Sequence, residues 1–137
     1  MKQQASDCVS GIIISRGRVL VEKRRTDDAA DPGLVAIPGG HVEAGESVEN
    51  AIIREMREEL GISVKKTRFI GEESWVASDG ERQRIHYFII EEWEGKLSPQ
   101  EAMSIFWESE TSKLGPPDKE IMRRVFEKSR NSSKTNP

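Results

Sequence analysis

Residues 40–62, GHVEAGESVENAIIREMREELGI, restrict the chain more than any other stretch. Ser47 stands before an apolar-periodic run and offers an N-cap hydroxyl. Gly61 ends the run as a C′ glycine does. Between them Val48, Ala51, Ile52, Met56 and Leu60 recur at helical spacing and, at roughly 100° per residue, fill one arc of a helix. Glu55, Glu58 and Glu59 fall on the adjoining arc. Their i,i+3 and i,i+4 spacings set like charges side by side, which weakens a helix by about 0.2–0.5 kcal/mol per pair. A divalent cation reverses that sign, and hard oxygens clustered on a rigid element suit Mg²⁺ or Mn²⁺. The plain alternative is a solvated face paired to Arg54 and Arg57. The residues in front argue for the ion. Pro38-Gly39-Gly40 and Gly45-Glu46 are sharp turns, and their glycines let backbone groups approach a ligand closely.

The rest of the chain reads mainly as strands. A β-branched run from Cys8 to Ile14, a turn at Ser15-Arg16-Gly17 and a second run over residues 18–22 together predict a hairpin. The basic triplet Lys23-Arg24-Arg25 follows, where a cation can clamp phosphate oxygens. Residues 26–33 are a polar loop, with Pro32-Gly33 as its turn. Residues 34–37 form a short strand, and residues 41–43 another. Residues 63–75 predict a bent strand, Asp79-Gly80 a hairpin turn, residues 83–93 a long strand and residues 103–107 a short one. Leu114-Gly115-Pro116-Pro117 reads as a chain break. Ile121, Met122, Val125 and Phe126 then give an amphipathic helix over residues 118–128. This pattern predicts one α/β domain over residues 1–130 and a disordered polar tail over residues 131–137.

At 137 residues the chain is long enough for a core without staples. A net charge of −3 argues against a non-specific nucleic-acid surface, so no stable nucleic-acid complex is expected. One cysteine, Cys8, excludes an internal disulfide, and one Cys with two His excludes a zinc-type cluster. No apolar run reaches a membrane span, and the start MKQQASDC lacks a signal-type core. The expectation is a cytoplasmic protein without membrane contact.

The pattern G-x5-E-x7-R-E-U-x-E-E-x-G-U, with U bulky and aliphatic, is met at Gly40, Glu46, Arg54, Glu55, Met56, Glu58, Glu59, Gly61 and Ile62. These positions resemble the signature of the Nudix hydrolases. The looser likeness over residues 8–127 is to MutT-like members. The resemblance implies an α/β/α sandwich with a mixed sheet and the hydrolysis of a nucleoside diphosphate linked to another moiety. It implies Mg²⁺, with Mn²⁺ as a substitute, held by Glu55, Glu58 and Glu59, the Gly39 carbonyl and Glu101. Either one of those three helix glutamates or Glu101 takes the proton from the attacking water. Arg54 completes the catalytic set by holding Glu55, and Gly40 and Glu46 support the ligands from behind. Arg25 matches a phosphate-contacting arginine. Lys119 stands at the base-recognition position, where an asparagine would suit an oxidised guanine. Trp75, His86 and Phe88 are candidates to stack a base, and His41 to touch substrate. The proline of ADP-ribose enzymes would fall near Ala77-Ser78, and none is there. The tyrosine of diadenosine polyphosphate enzymes is missing from the same stretch. By elimination the expected reaction converts a nucleoside triphosphate to monophosphate and pyrophosphate. The alternatives are a nucleotide sugar, dinucleotide or capped RNA substrate, or a non-catalytic nucleotide-sensing module. A homodimer fits the family.

Overall fold

The computed structural model describes residues 4–25, 34–102 and 104–135, with side chains through residue 128. The predicted loop at 26–33 and Met103 lie outside the described residues. The elements are β1 (Ser6–Ile12), β2 (Ile14–Ser15), β3 (Arg18–Lys23), β4 (Val35–Ala36), β5 (Gly39–His41), α1 (Val48–Leu60), β6 (Ser63–Val76), β7 (Arg82–Glu94), β8 (Ser104–Glu108) and α2 (Pro116–Thr135), with a 3₁₀ turn at Thr111–Lys113.

The main sheet is mixed, in the order β5-β1-β7-β6. β1 and β7 are parallel, from Ser6 opposite Gln83 to Ile12 opposite Ile89. β5 runs antiparallel on the other side of β1, with Cys8 opposite His41 and Ser10 opposite Gly39. β6 and β7 form the long hairpin that the Asp79-Gly80 turn predicts. A second sheet is centred on β3, which pairs with β2, β4 and β8.

β1 is covered on both faces, and its alternation sorts the core into two layers. Val9 joins Ile52, Met56 and Leu60 of α1, with Phe88 and Ile90 of β7. Cys8 and Ile12 join Ile121 and Met122 of α2, with Ile85 and Tyr87 of β7. Ile52, Met56 and Leu60 are fully buried, each contributing about 1.5–3 kcal/mol. Gly11 lets α1 sit close to the sheet: a Cβ there would meet Met56 Sδ at 2.6 Å.

α1 ends as its sequence predicts. Ser47 Oγ accepts the Asn50 N–H at 3.1 Å, and Gly61 adopts a left-handed φ of 72°. Two other expectations need correction. The predicted hairpin between residues 8–14 and 18–22 is confined to Ile14–Ser15 against Arg18–Val19; most of the first run pairs with β7. Pro116 and Pro117 do not break the chain but open α2, because the first helical turn needs no N–H donors. α2 runs on to Thr135.

Candidate active site

A cavity of about 470 Å³ opens where α1, β3, β5 and the start of α2 meet. Its two ends differ in chemistry. One is walled by carboxylates from Glu22, Glu55, Glu58, Glu59 and Glu101, beside Gly39 and Gly40. The other is an apolar slot formed by Leu34, Ile37, Trp75 and Pro117, with Asp118 at its base.

Arg54 organises the acidic end. Its Nε and Nη2 donate to the two carboxylate oxygens of Glu46, at 2.7 and 2.8 Å. Nη1 donates to Glu55 Oε1 at 2.9 Å and to Glu58 Oε2 at 3.0 Å, and Nη2 to the His41 carbonyl at 2.9 Å. Glu46 Oε1 also accepts the Glu43 N–H at 3.0 Å. One planar fork thus ties the helix to the loop in front of it. The Arg54 bond, then that backbone bond, holds the Glu46 carboxyl down at about 2, and the same pairing raises Arg54. The double glycine is a steric requirement. A Cβ on Gly39 would fall on the Val9 carbonyl, and one on Gly40 would lie 2.5 Å from the Glu55 carboxyl carbon.

The inner carboxylates are shifted the other way. Burial raises Glu55, against the opposing pull of Arg54. Glu59 is pushed up to about 9, first by burial and then by the Glu22 charge. Glu22 is pushed up to about 7 by burial, and its contact with Glu59 partly opposes this. Two carboxyls in contact must share a proton or a cation. The donor set is entirely hard oxygen, and Glu22 Oε2 is buried with no hydrogen-bond partner among the described residues. Both observations fit a divalent cation of the Mg²⁺ or Mn²⁺ kind.

At the other end Asp118 is buried and accepts the Ile37 N–H at 2.9 Å and the Tyr87 O–H at 2.6 Å. Burial raises Asp118, against both bonds. Its carboxyl pins the first turn of α2 to the chain just before the Gly-Gly turn.

Of the residues singled out in the sequence, Gly39, Gly40, His41, Arg54, Glu55, Glu58, Glu59, Trp75 and Glu101 reach this cavity. Glu46 stands behind it, on Arg54. Arg25 and Lys119 are exposed and absent from its lining, where their neighbours Arg24 and Asp118 are found. Strand alternation accounts for the first case, because Glu22 and Arg24 point to one face and Lys23 and Arg25 to the other. In the second, a step of roughly 100° along α2 turns Lys119 outward. Of the base-stacking candidates Trp75 lines the slot. Phe88 is core beneath α1, and His86 bonds Asp7 at 3.0 Å. His41 lines the cavity and contacts Glu81 at 2.7 Å. Cys8, His41 and Glu81 bring ligand atoms within 4.8 Å of one another, a mixed cluster that counting Cys and His alone excluded.

A carboxylate wall and an apolar slot joined by a Gly-Gly turn make a site suited to a hard cation and to a ligand with both polar and apolar parts. The chain belongs to the Nudix family: a NUDIX domain match covers residues 5–128. Among the solved structures it resembles is a MutT Nudix hydrolase of Burkholderia pseudomallei, with a TM-score of 0.72 at 25% identity, over 84% of this chain and 90% of that one. Over 103 residues it is 31% identical to the CTP pyrophosphohydrolase of Escherichia coli K12, covering 74% of this chain and 73% of that protein. The 8-oxo-dGTP diphosphatase of the same strain is 29% identical over 99 residues, 72% of this chain and 76% of that protein. The NAD-capped RNA hydrolase NudC of Pseudomonas aeruginosa is 39% identical over 70 residues, 51% of this chain but only 24% of that protein. The MutT protein of Methanosarcina mazei Go1 shares the fold, with a TM-score of 0.82 at 19% identity, over 94% of this chain and 98% of that one. Among the described residues no helix is long and apolar enough to cross a membrane.

Proposed function

We propose that this protein hydrolyses a nucleoside triphosphate to the monophosphate and pyrophosphate, with Mg²⁺ or Mn²⁺ bound by its acidic wall. The observation that carries this reading is the two-ended cavity of about 470 Å³: carboxylates line one end, and Leu34, Ile37, Trp75 and Pro117 give the other an apolar lining. The two E. coli relatives, matched over most of both chains, carry names of nucleotide pyrophosphohydrolases and support the same class.

Glu55, Glu58 and Glu59, with the Gly39 carbonyl and Glu101, hold the cation. When bound, it supplies charge neutralisation for the phosphates and a water of lowered pKa. Arg54 fixes Glu55 and Glu58 so that their oxygens face the phosphates before substrate arrives. Arg24, on the cavity wall, takes the phosphate-clamping part that the sequence suggested for Arg25. One carboxylate of Glu55, Glu58, Glu59 or Glu101 accepts the proton of the attacking water, and their mutual coupling makes this a property of the group. Trp75 and Pro117 flank the base, and Asp118 keeps the slot in shape through Ile37 and Tyr87.

The test is a panel of nucleoside triphosphates, nucleotide sugars, dinucleotides and NAD-capped RNA, each with Mg²⁺, products resolved by chromatography. Monophosphate plus pyrophosphate is expected from at least one triphosphate, with loss of turnover in EDTA. Diphosphate plus inorganic phosphate, or turnover unchanged in EDTA, refutes the reading. Glu58→Gln and Glu59→Gln should each lower kcat by roughly two orders of magnitude or more, the scale set by loss of one transition-state contact.

A further inference from the structure

β3 is apolar through Val19, Leu20 and Val21, all buried, and then places a carboxylate in equally sheltered surroundings: Glu22 is 5% exposed. Its backbone is clamped on both sides, by Ala36 of β4 and Ile105 of β8. The side chain lies against Glu59 of α1; Arg24 eases its charge, while Glu55 and Glu101 add repulsion. Its Oε2 is buried and has no hydrogen-bond partner among the described residues. Neither a core position nor a surface ion pair explains this residue. An apolar side chain would serve the core better, and Arg24 and Arg54 are two cations against the five carboxylates of this wall, an excess of charge that disfavours the fold when all are ionised. The arrangement makes sense when something positive sits between strand and helix.

We infer that Glu22 is itself a ligand of the divalent cation, reaching it from the β3 side while the helix glutamates reach it from the other. The cation then bridges the second sheet to α1 rather than resting on one helix face. This inference rests on the metal-dependent reading of the site given above. The competing occupant is a proton shared by Glu22 and Glu59, which would make Glu22 a buried structural acid with no part in binding the cation.

Glu22→Gln separates the two. The amide preserves shape and can donate to Glu59, so the metal-free protein should melt no lower than wild type. Mn²⁺ affinity, measured by the loss of free-ion EPR signal on titration, should fall by about tenfold or more, equivalent to about 1.4 kcal/mol. The rise in melting temperature on adding Mn²⁺ should shrink with it. Glu22→Met, which fills the same space without an acceptor, should lose affinity to the same degree and is read where the glutamine variant folds poorly. Glu92→Gln, an exposed carboxylate on β7, controls for net charge. If Glu22→Gln binds Mn²⁺ as wild type does, with the full melting increment, the ligand role is overturned and the metal centre stands. If wild-type protein binds no Mn²⁺, the metal-dependent reading fails, and the Glu22 assignment fails with it.

Discussion

Replacing Arg54 with alanine removes five hydrogen bonds from one guanidinium. Most of the cost should fall on Glu55. Its side chain is 9% exposed, and Arg54 is the partner that favours its ionised form. Without that donor a buried carboxylate is left unpaired, at about 1–3 kcal/mol. Breaking a fully buried pair costs about 3–5 kcal/mol, but Arg54 is itself 22% exposed, so water screens part of the interaction. About 2 kcal/mol is therefore expected near pH 8. For a chain of this length that corresponds to a melting temperature about 8 °C lower. Protonation offers Glu55 an escape. Its carboxyl is already raised, so in acid the neutral form should need no counter-charge and the deficit should narrow. Thermal melts followed by circular dichroism in EDTA, at about pH 5.5 and about pH 8, measure both effects. Arg57→Ala, exposed one turn away, is the control. Arg54→Lys keeps the charge without the fork and should fall between wild type and alanine. A melting temperature within about 2 °C of wild type at both pH values would refute the view that Arg54 holds the site together.

Three further outcomes are expected. Gly40→Ala should push the Glu55 carboxyl off Arg54 and cost about 1–3 kcal/mol, read as a lower melting temperature together with lost turnover. In EDTA the protein should become less stable as pH rises. Glu22 and Glu59 have raised values, so their contribution is complete below the ordinary carboxylate range and is lost as pH passes through about 7 and about 9. The Mg²⁺-induced rise in melting temperature should grow over the same interval, which paired melts with and without the ion would show. Tyr87→Phe removes the 2.6 Å donor from buried Asp118 and should cost about 1–3 kcal/mol. It should also weaken triphosphate binding by loosening the slot, seen as a raised KM.

The acidic helix was legible in the sequence because everything that shapes it is local. Its cap, its stop and its apolar arc all lie between Ser47 and Gly61. Glu22 was not singled out, because at the end of the run VLVE it reads as the polar end of a strand. Only the pairing of β3 with β4 and β8 buries it, and only the fold brings Glu59 to it. Choosing between Arg24 and Arg25 needed the strand's facing, which Glu22 would have supplied had its own role been seen. The parallel partner of β1 was hidden for a related reason. A β-branched run declares that it will be a strand without declaring which strand it will join, and the nearby run at residues 18–22 is the partner that a hairpin rule selects.

That distant partner has a consequence during synthesis. The helix with its glutamates is complete once residue 62 has been made, yet β1 gains its parallel neighbour only with residues 83–89, and β3 gains β8 only with residues 104–108. At about 5–20 residues per second, the stretch from residue 62 to residue 108 takes about 2–9 s to translate. Throughout that interval a nascent chain carries the full acidic signature on a helix whose apolar arc has little to cover it. Closing such long loops is also the slow part of folding. Val9, Ile52 and Met56 are therefore the surfaces that a ribosome-associated chaperone would meet first.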